Sequence, residues 1–131
     1  MIVRIDHIGI AVNSIEDTVK LYSDGLGLEI EDIEILEEEK VKTVMIPVGE
    51  SKIELIESTD SEGQIAKYIK KKGEGIHHLA LEVQDIQDML KTLKEKNIPL
   101  IDEQPRVGVG GSKIAFLHPK ETKALIELVE H

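Results

Sequence analysis

Isoleucine and valine crowd residues 2–12, and this density of branched apolar side chains predicts a β-strand. Ser14 follows as an N-cap, with Asp17 three residues on as its capping-box partner. The helix it opens runs to about Tyr22 and ends near Gly25 and Gly27. Three strands are predicted next, at about 28–37, 41–48 and 51–57, with Gly49 marking the last turn. A second helix over roughly 62–72 ends in Lys70-Lys71-Lys72-Gly73, three cations at the negative end of a helix dipole and then a stop. The same plan then recurs: a strand at 76–83, a helix at 85–96 behind the Asp85 cap, and strands near 99–103, 113–118 and 123–130.

The recurrence is also one of residues. A shift of 71 positions lays His7-Ile-Gly-Ile-Ala-Val12 on His78-Leu-Ala-Leu-Glu-Val83, Ile15 on Ile86 and Asp17 on Asp88. A shift of 73 lays Ile53-Glu54-Leu55-Ile56-Glu57 on Ile126-Glu127-Leu128-Val129-Glu130. The expected fold is therefore α+β: two tandem βαβββ modules whose curved sheets surround a metal site. One domain spans 1–131, with halves of approximately 1–60 and 74–131 joined by the helix at 62–72.

Strand parity then sorts the side chains. His7, Gly9 and Ala11 share one face of the first strand, and His78, Ala80 and Glu82 share one face of its repeat. The branched residues between them are placed to meet a helix, while small neighbours leave room beside each imidazole. Glu54 and Glu127 sit inside strands between aliphatic residues, where a carboxylate is rarely buried unless paired or bound to metal. Taken singly, each histidine reads equally as a strand-end cap and each glutamate as an edge-strand surface charge. As repeat-matched pairs, His7, Glu54, His78 and Glu127 point to one site on a pseudo-two-fold axis. Two imidazoles and two carboxylates balance a divalent ion, and a donor set without sulfur suits six-coordinate cobalt, nickel, manganese or zinc. Four protein ligands leave about two positions for substrate oxygens, the arrangement needed to stabilise an enolate.

Composition narrows the partners. The 131 residues include no cysteine, which excludes disulfides, thiolate zinc sites and cysteine nucleophiles and agrees with a cytoplasmic protein. A formal net charge of −10 with 2% aromatic residues lacks the basic footprint and stacking platform of a nucleic-acid binder. No run approaches the roughly 18 apolar residues of a membrane span, and the start at Met1 predicts no signal peptide. An anionic ligand would need a bound cation or a local basic patch. No catalytic triad, P-loop or dinucleotide fingerprint is present.

Other residues are less specific. His77 falls on the face opposite His78, as packing or as a supporting contact. His118, before Pro119, either reaches a ligand or makes a surface turn. Arg106, Gly108, Gly110 and Gly111 form a loop that either closes over a ligand or simply connects two strands.

Ile5-Asp6-His7, Asp60-Ser61, Ile65-Ala66-Lys67, Gly75-Ile76-His77-His78, Asp102-Glu103, Phe116-Leu117-His118-Pro119-Lys120 and Leu125-Ile126-Glu127-Leu128 together resemble the methylmalonyl-CoA epimerases, of the glyoxalase-like (vicinal oxygen chelate) fold, in order and across nearly the whole chain. The resemblance implies metal ligands at His7, Glu54, His78 and Glu127, one divalent metal with cobalt favoured, an acyl-CoA substrate and a homodimer. Glu54 is within the family pattern, which has glutamine or glutamate there. Thr43 departs from it, because some members carry a glutamate base at that position and threonine is no base at neutral pH. In the implied reaction Glu127 removes the proton between thioester and carboxylate, and Glu54 or a water returns one from the opposite face. Thr43, Arg106, Gly110, Lys113, His118 and Lys120 are the candidates for substrate contact, the cations among them because CoA phosphates need positive partners. Three rival readings share the fold: a glyoxalase I-like lactoylglutathione lyase, a ring-cleaving iron dioxygenase with two histidines and one carboxylate, and a metal-free small-molecule-binding protein.

Overall fold

The computed structural model describes all 131 residues. The elements in chain order are β1 (Ile2–Ala11), α1 (Ile15–Lys20), β2 (Ile33–Leu36), β3 (Val41–Val48), β4 (Ser51–Ser58), α2 (Gln64–Lys72), β5 (Gly75–Val83), α3 (Ile86–Glu95), β6 (Arg106–Val107), β7 (Lys113–Phe116), α4 (Pro119–Thr122) and β8 (Ile126–Glu130). Strand–helix–three strands thus occurs twice, with the short α4 inserted before the last strand of the second round, and the α+β reading holds. The chain divides into two compact units, Ile8–His77 on the one hand and Met1–His7 with His78–His131 on the other. The crossings fall inside β1, just after His7, and inside β5, just before His78.

In the unit Ile8–His77 the strand order is β2-β3-β4-β1, with β2, β3 and β4 antiparallel. Ile10 and Val12 pack with Ile15 and Val19 of α1 and with Val44, Ile46 and Leu55, so the branched parity of β1 does meet a helix. The small-residue parity lies against α2: Ala11 packs with Val41, Ile56, Ile65, Tyr68 and Ile69. Ser14 caps α1 by accepting from the Asp17 N–H at 3.1 Å. The Ile15 N–H donates to Glu57 Oε1 at 2.7 Å, which fastens the helix start to the end of β4. After Lys20 the helix widens into one π-helical turn over Leu21–Gly25 instead of continuing as α-helix.

The other unit repeats these devices. Its strand order is β5-β8-β7-β6, with β5 and β8 parallel and the rest antiparallel. Val83, Ala115, Leu117 and Leu128 pack on Ile86 and Leu90 of α3, while Ala80, Ile114 and Val129 cluster with Phe116 on the opposite face. Asp85 accepts from the Asp88 N–H at 3.0 Å, and the Ile86 N–H donates to Glu130 Oε1 at 2.8 Å.

Two predicted strands are corrected. Residues 28–32 are not in a strand, and β2 is confined to Ile33–Leu36, although the Glu31 N–H still reaches the Met45 carbonyl at 2.9 Å. Residues 99–103 form only a single bridge, Leu100 to Leu117, and the first strand of the triplet is the short β6 instead. The cause is Asp102. Its carboxylate accepts the Phe116 N–H at 2.9 Å and takes the place a ladder carbonyl would fill. Ile101 and Asp102 both donate to the one Phe116 carbonyl, which closes off regular pairing. No helix is long and apolar enough to cross a membrane.

Candidate functional site

Three of the four sequence-matched residues converge within one unit. His7 stands at the end of its share of β1, His78 opens its share of β5, and Glu127 lies in β8 opposite both Ala80 and Phe116. All three are buried, at 5% exposure each. His7 Nε2 is 3.1 Å from His78 Nε2, and Glu127 Oε1 is 2.9 Å from the first and 3.4 Å from the second. The rings meet edge to face with 5.2 Å between their centres, and the Phe116 ring meets that of His78 edge to face with 5.7 Å between centres.

Proton accounting shows what this cluster lacks. Asp6 Oδ2 lies 2.7 Å from His7 Nδ1, and an ionised carboxylate can only accept, so Nδ1 carries the proton and Nε2 offers its lone pair. Glu127 Oε1 is buried and, despite its nearness to both imidazoles, has no partner in hydrogen-bonding geometry. Lone-pair atoms therefore crowd one point with too few protons among them. Donors about 2.1 Å from a shared cation lie about 3.0 Å apart at right angles and about 3.4 Å apart at tetrahedral angles. The observed separations match that range, so the donor set fits a divalent metal.

Electrostatics follows the same contacts. Burial pushes the Glu127 carboxyl up, but the His7 and His78 imidazoles, when they carry the protons that a cation would displace, outweigh it and lower the group to about 2. Asp6 is likewise opposed by burial and is brought to about 2 by His7 and by His131, whose Nε2 lies 2.6 Å from Asp6 Oδ1. Asp6 was not singled out in the sequence, because neighbours on a strand point to opposite faces. Only the reach of Nδ1 makes the adjacent pair meet. A carboxyl held below its usual 3.8 contributes stability above that pH and loses it as pH falls through about 2. Asp6→Asn is expected to lower unfolding stability at pH 6, with the gap to wild type closing between about pH 4 and pH 2 in urea titrations. A gap independent of pH would show that Asp6 stabilises by packing alone.

The remaining candidates lie along the rest of the chain. Glu54, in β4 of the other unit, is 4% exposed; its ladder partner is Met45. Thr43, in β3, is 2% exposed, and its hydroxyl has no hydrogen-bond partner. Arg106 begins β6 with its guanidinium 5.4 Å from the centre of the Phe116 ring and its Nε 3.4 Å from Asp102. Gly110 sits at φ 66° in the turn between β6 and β7, a backbone that glycine adopts without strain. Lys113 is directed at Glu130, 3.9 Å away, as Lys42 is at Glu57, 3.5 Å away, in the matching position of the other unit. His118 caps α4, accepting the Lys120 N–H on Nδ1 at 3.1 Å; both residues are exposed. His77 packs edge to face on Tyr68 of α2, 4.7 Å between ring centres.

Residues 6–116 match the model of the Glyoxalase/Bleomycin resistance protein/Dioxygenase superfamily, and the chain belongs to that superfamily. Its relatives narrow the position further. Over 128 residues it is 41% identical to the uncharacterized protein YqjC of Bacillus subtilis, covering 97% of this chain and 91% of that one. Over 129 residues it is 34% identical to the mitochondrial methylmalonyl-CoA epimerase of Dictyostelium discoideum, covering 97% of this chain and 78% of that one. A solved methylmalonyl-CoA epimerase, in complex with methylmalonyl-CoA and NH4+, superposes with a TM-score of 0.94 at 35% identity, covering 99% of this chain and 95% of that one.

Proposed function

We propose that this protein is a methylmalonyl-CoA epimerase that works with one bound divalent metal ion. The observation that carries the reading is the buried convergence of His7 Nε2, His78 Nε2 and Glu127 Oε1 in a chain similar over its full length to epimerases. His7, His78 and Glu127 hold the ion. Glu54 completes the set: it is buried and is the repeat counterpart of Glu127. When bound, the cation supplies electrostatic stabilisation to the negative charge that develops on the thioester oxygen.

The protein's own groups perform the proton transfer. Glu127 accepts the proton from the carbon between thioester and carboxylate, and a proton then returns to the opposite face. Asp6 keeps the His7 proton on Nδ1 and so keeps Nε2 available. Arg106, Lys113 and Lys120 are the cations proposed for the CoA phosphates, with Arg106 best placed through its contact with Phe116 beside His78. Cobalt is the first metal to test, and the working species is a homodimer. The direct experiment follows racemisation of methylmalonyl-CoA by metal-loaded protein. Turnover of a glutathione hemithioacetal in its place would move the assignment to a glyoxalase.

A further inference from the structure

Strand β8 addresses both ring nitrogens of His7. Nε2 faces Glu127 Oε1 at 2.9 Å, and Nδ1 is reached through Asp6, whose Oδ1 lies 2.6 Å from Nε2 of His131, the residue that follows β8. All of these groups belong to the one unit formed by Met1–His7 and His78–His131. Adjacent residues on a strand project to opposite faces, so Asp6 reaches the ring of His7 only by leaning across its own backbone. A side chain held in that posture by one hydrogen bond can swing out toward water, and Asp6 lies where water can reach it, with 14% of its side chain exposed. A second hydrogen bond removes that freedom. An ionised carboxylate only accepts, so His131 Nε2 donates to Oδ1 as His7 Nδ1 donates to Oδ2. With both oxygens held, the carboxylate plane is fixed, and so is the direction in which Oδ2 meets the His7 ring. The duplication did not supply this device. The residues matching Asp6 and His131 under the two repeat shifts are His77 and Ser58, and Ser58 donates its hydroxyl to the Asp60 carbonyl at 2.6 Å.

We propose that His131 is a positioning residue for the metal ligand His7, acting through Asp6. This rests on the metal-dependent reading of the site. A ligating imidazole whose other nitrogen donates to a fixed carboxylate keeps its tautomer and its aim, and both govern how firmly it holds a cation. His7 Nε2 is aimed at a point it shares with His78 Nε2, 3.1 Å away, and with Glu127 Oε1. A small rotation of the His7 ring would move Nε2 off that point. His131 is not itself a ligand: its Nε2 is engaged by Asp6, and its side chain is 55% exposed. It therefore tunes cation affinity without touching cation or substrate.

The test is cobalt affinity, measured by titration calorimetry on the full chain without substrate, with the visible absorption of bound cobalt as a second readout. Wild type is compared with His131→Leu, His131→Gln and Asp6→Ala, and with Asp6→Ala and His131→Leu combined. His131→Leu is expected to bind cobalt about 10-fold more weakly, the lower end of the range for an outer partner of a ligand, and to alter the cobalt spectrum. His131→Gln, which keeps an N–H donor at the reach of Nε2, is expected to restore both. Adding His131→Leu to Asp6→Ala is expected to bring no further loss, because the route through Asp6 is already gone. A merely structural contact would lower the melting temperature of metal-free His131→Leu and leave its cobalt affinity at the wild-type value, and that result would overturn the proposal. So would His131→Gln binding as weakly as His131→Leu, or a full further loss in the Asp6→Ala background. Absence of cobalt binding in wild type would instead defeat the metal reading, and this inference with it.

Discussion

Glu127→Gln is expected to lower deuterium incorporation into methylmalonyl-CoA by at least the 10²–10⁴-fold that a general base contributes. Glutamine keeps the size and one oxygen but cannot take a proton, and it removes the negative charge between two buried imidazoles. Both losses act on the same step. Because Glu127 is also a proposed metal ligand, metal content must be measured alongside, by titration calorimetry. Lost exchange in protein that still binds the ion assigns the base role directly. Retained exchange at the wild-type rate would remove Glu127 from proton transfer.

The second large effect concerns the ion itself. A ligand bound only by the folded state stabilises by about 2.7 kcal/mol at 100 times its Kd. For a domain of this size that is roughly a 10 °C rise in Tm. Wild type is expected to show such a rise with cobalt and to lose epimerisation on chelation. His78→Ala removes one of three converging donors and leaves Glu127 beside a single imidazole. Its Tm is expected to be insensitive to cobalt, and its activity not to return when metal is added. An equal rise in Tm for wild type and His78→Ala would place the ion somewhere other than this cluster.

The paired histidines and glutamates were legible because duplication writes each functional position twice, and strand parity fixes its face. His7 and His78 are both buried, as are Glu54 and Glu127, and Ser14 and Asp85 both cap helices. Glu57 and Glu130 lay within the aligned segments, but only the structure shows each binding a helix N-terminus and facing a lysine. Side-chain competition for backbone groups was not legible either. Nothing in the apolar run near 99–103 announces that the Asp102 carboxylate takes the Phe116 N–H and leaves one bridge where a strand was expected. The clamp on His7 by Asp6, and through it by His131, joins residues 125 positions apart at its outer end and has no counterpart in a local pattern.

These residues are proposed to invert a carbon acidified by a thioester with the help of a bound cation. Proton exchange of methylmalonyl-CoA in deuterium oxide tests it most directly, first with metal-free protein and then after adding cobalt. Deuterium uptake with racemisation that appears only with metal is the predicted result. Tight metal binding with no exchange under any divalent ion would contradict the epimerase assignment and turn the search to glyoxalase substrates, and failure to bind any metal would contradict the site itself.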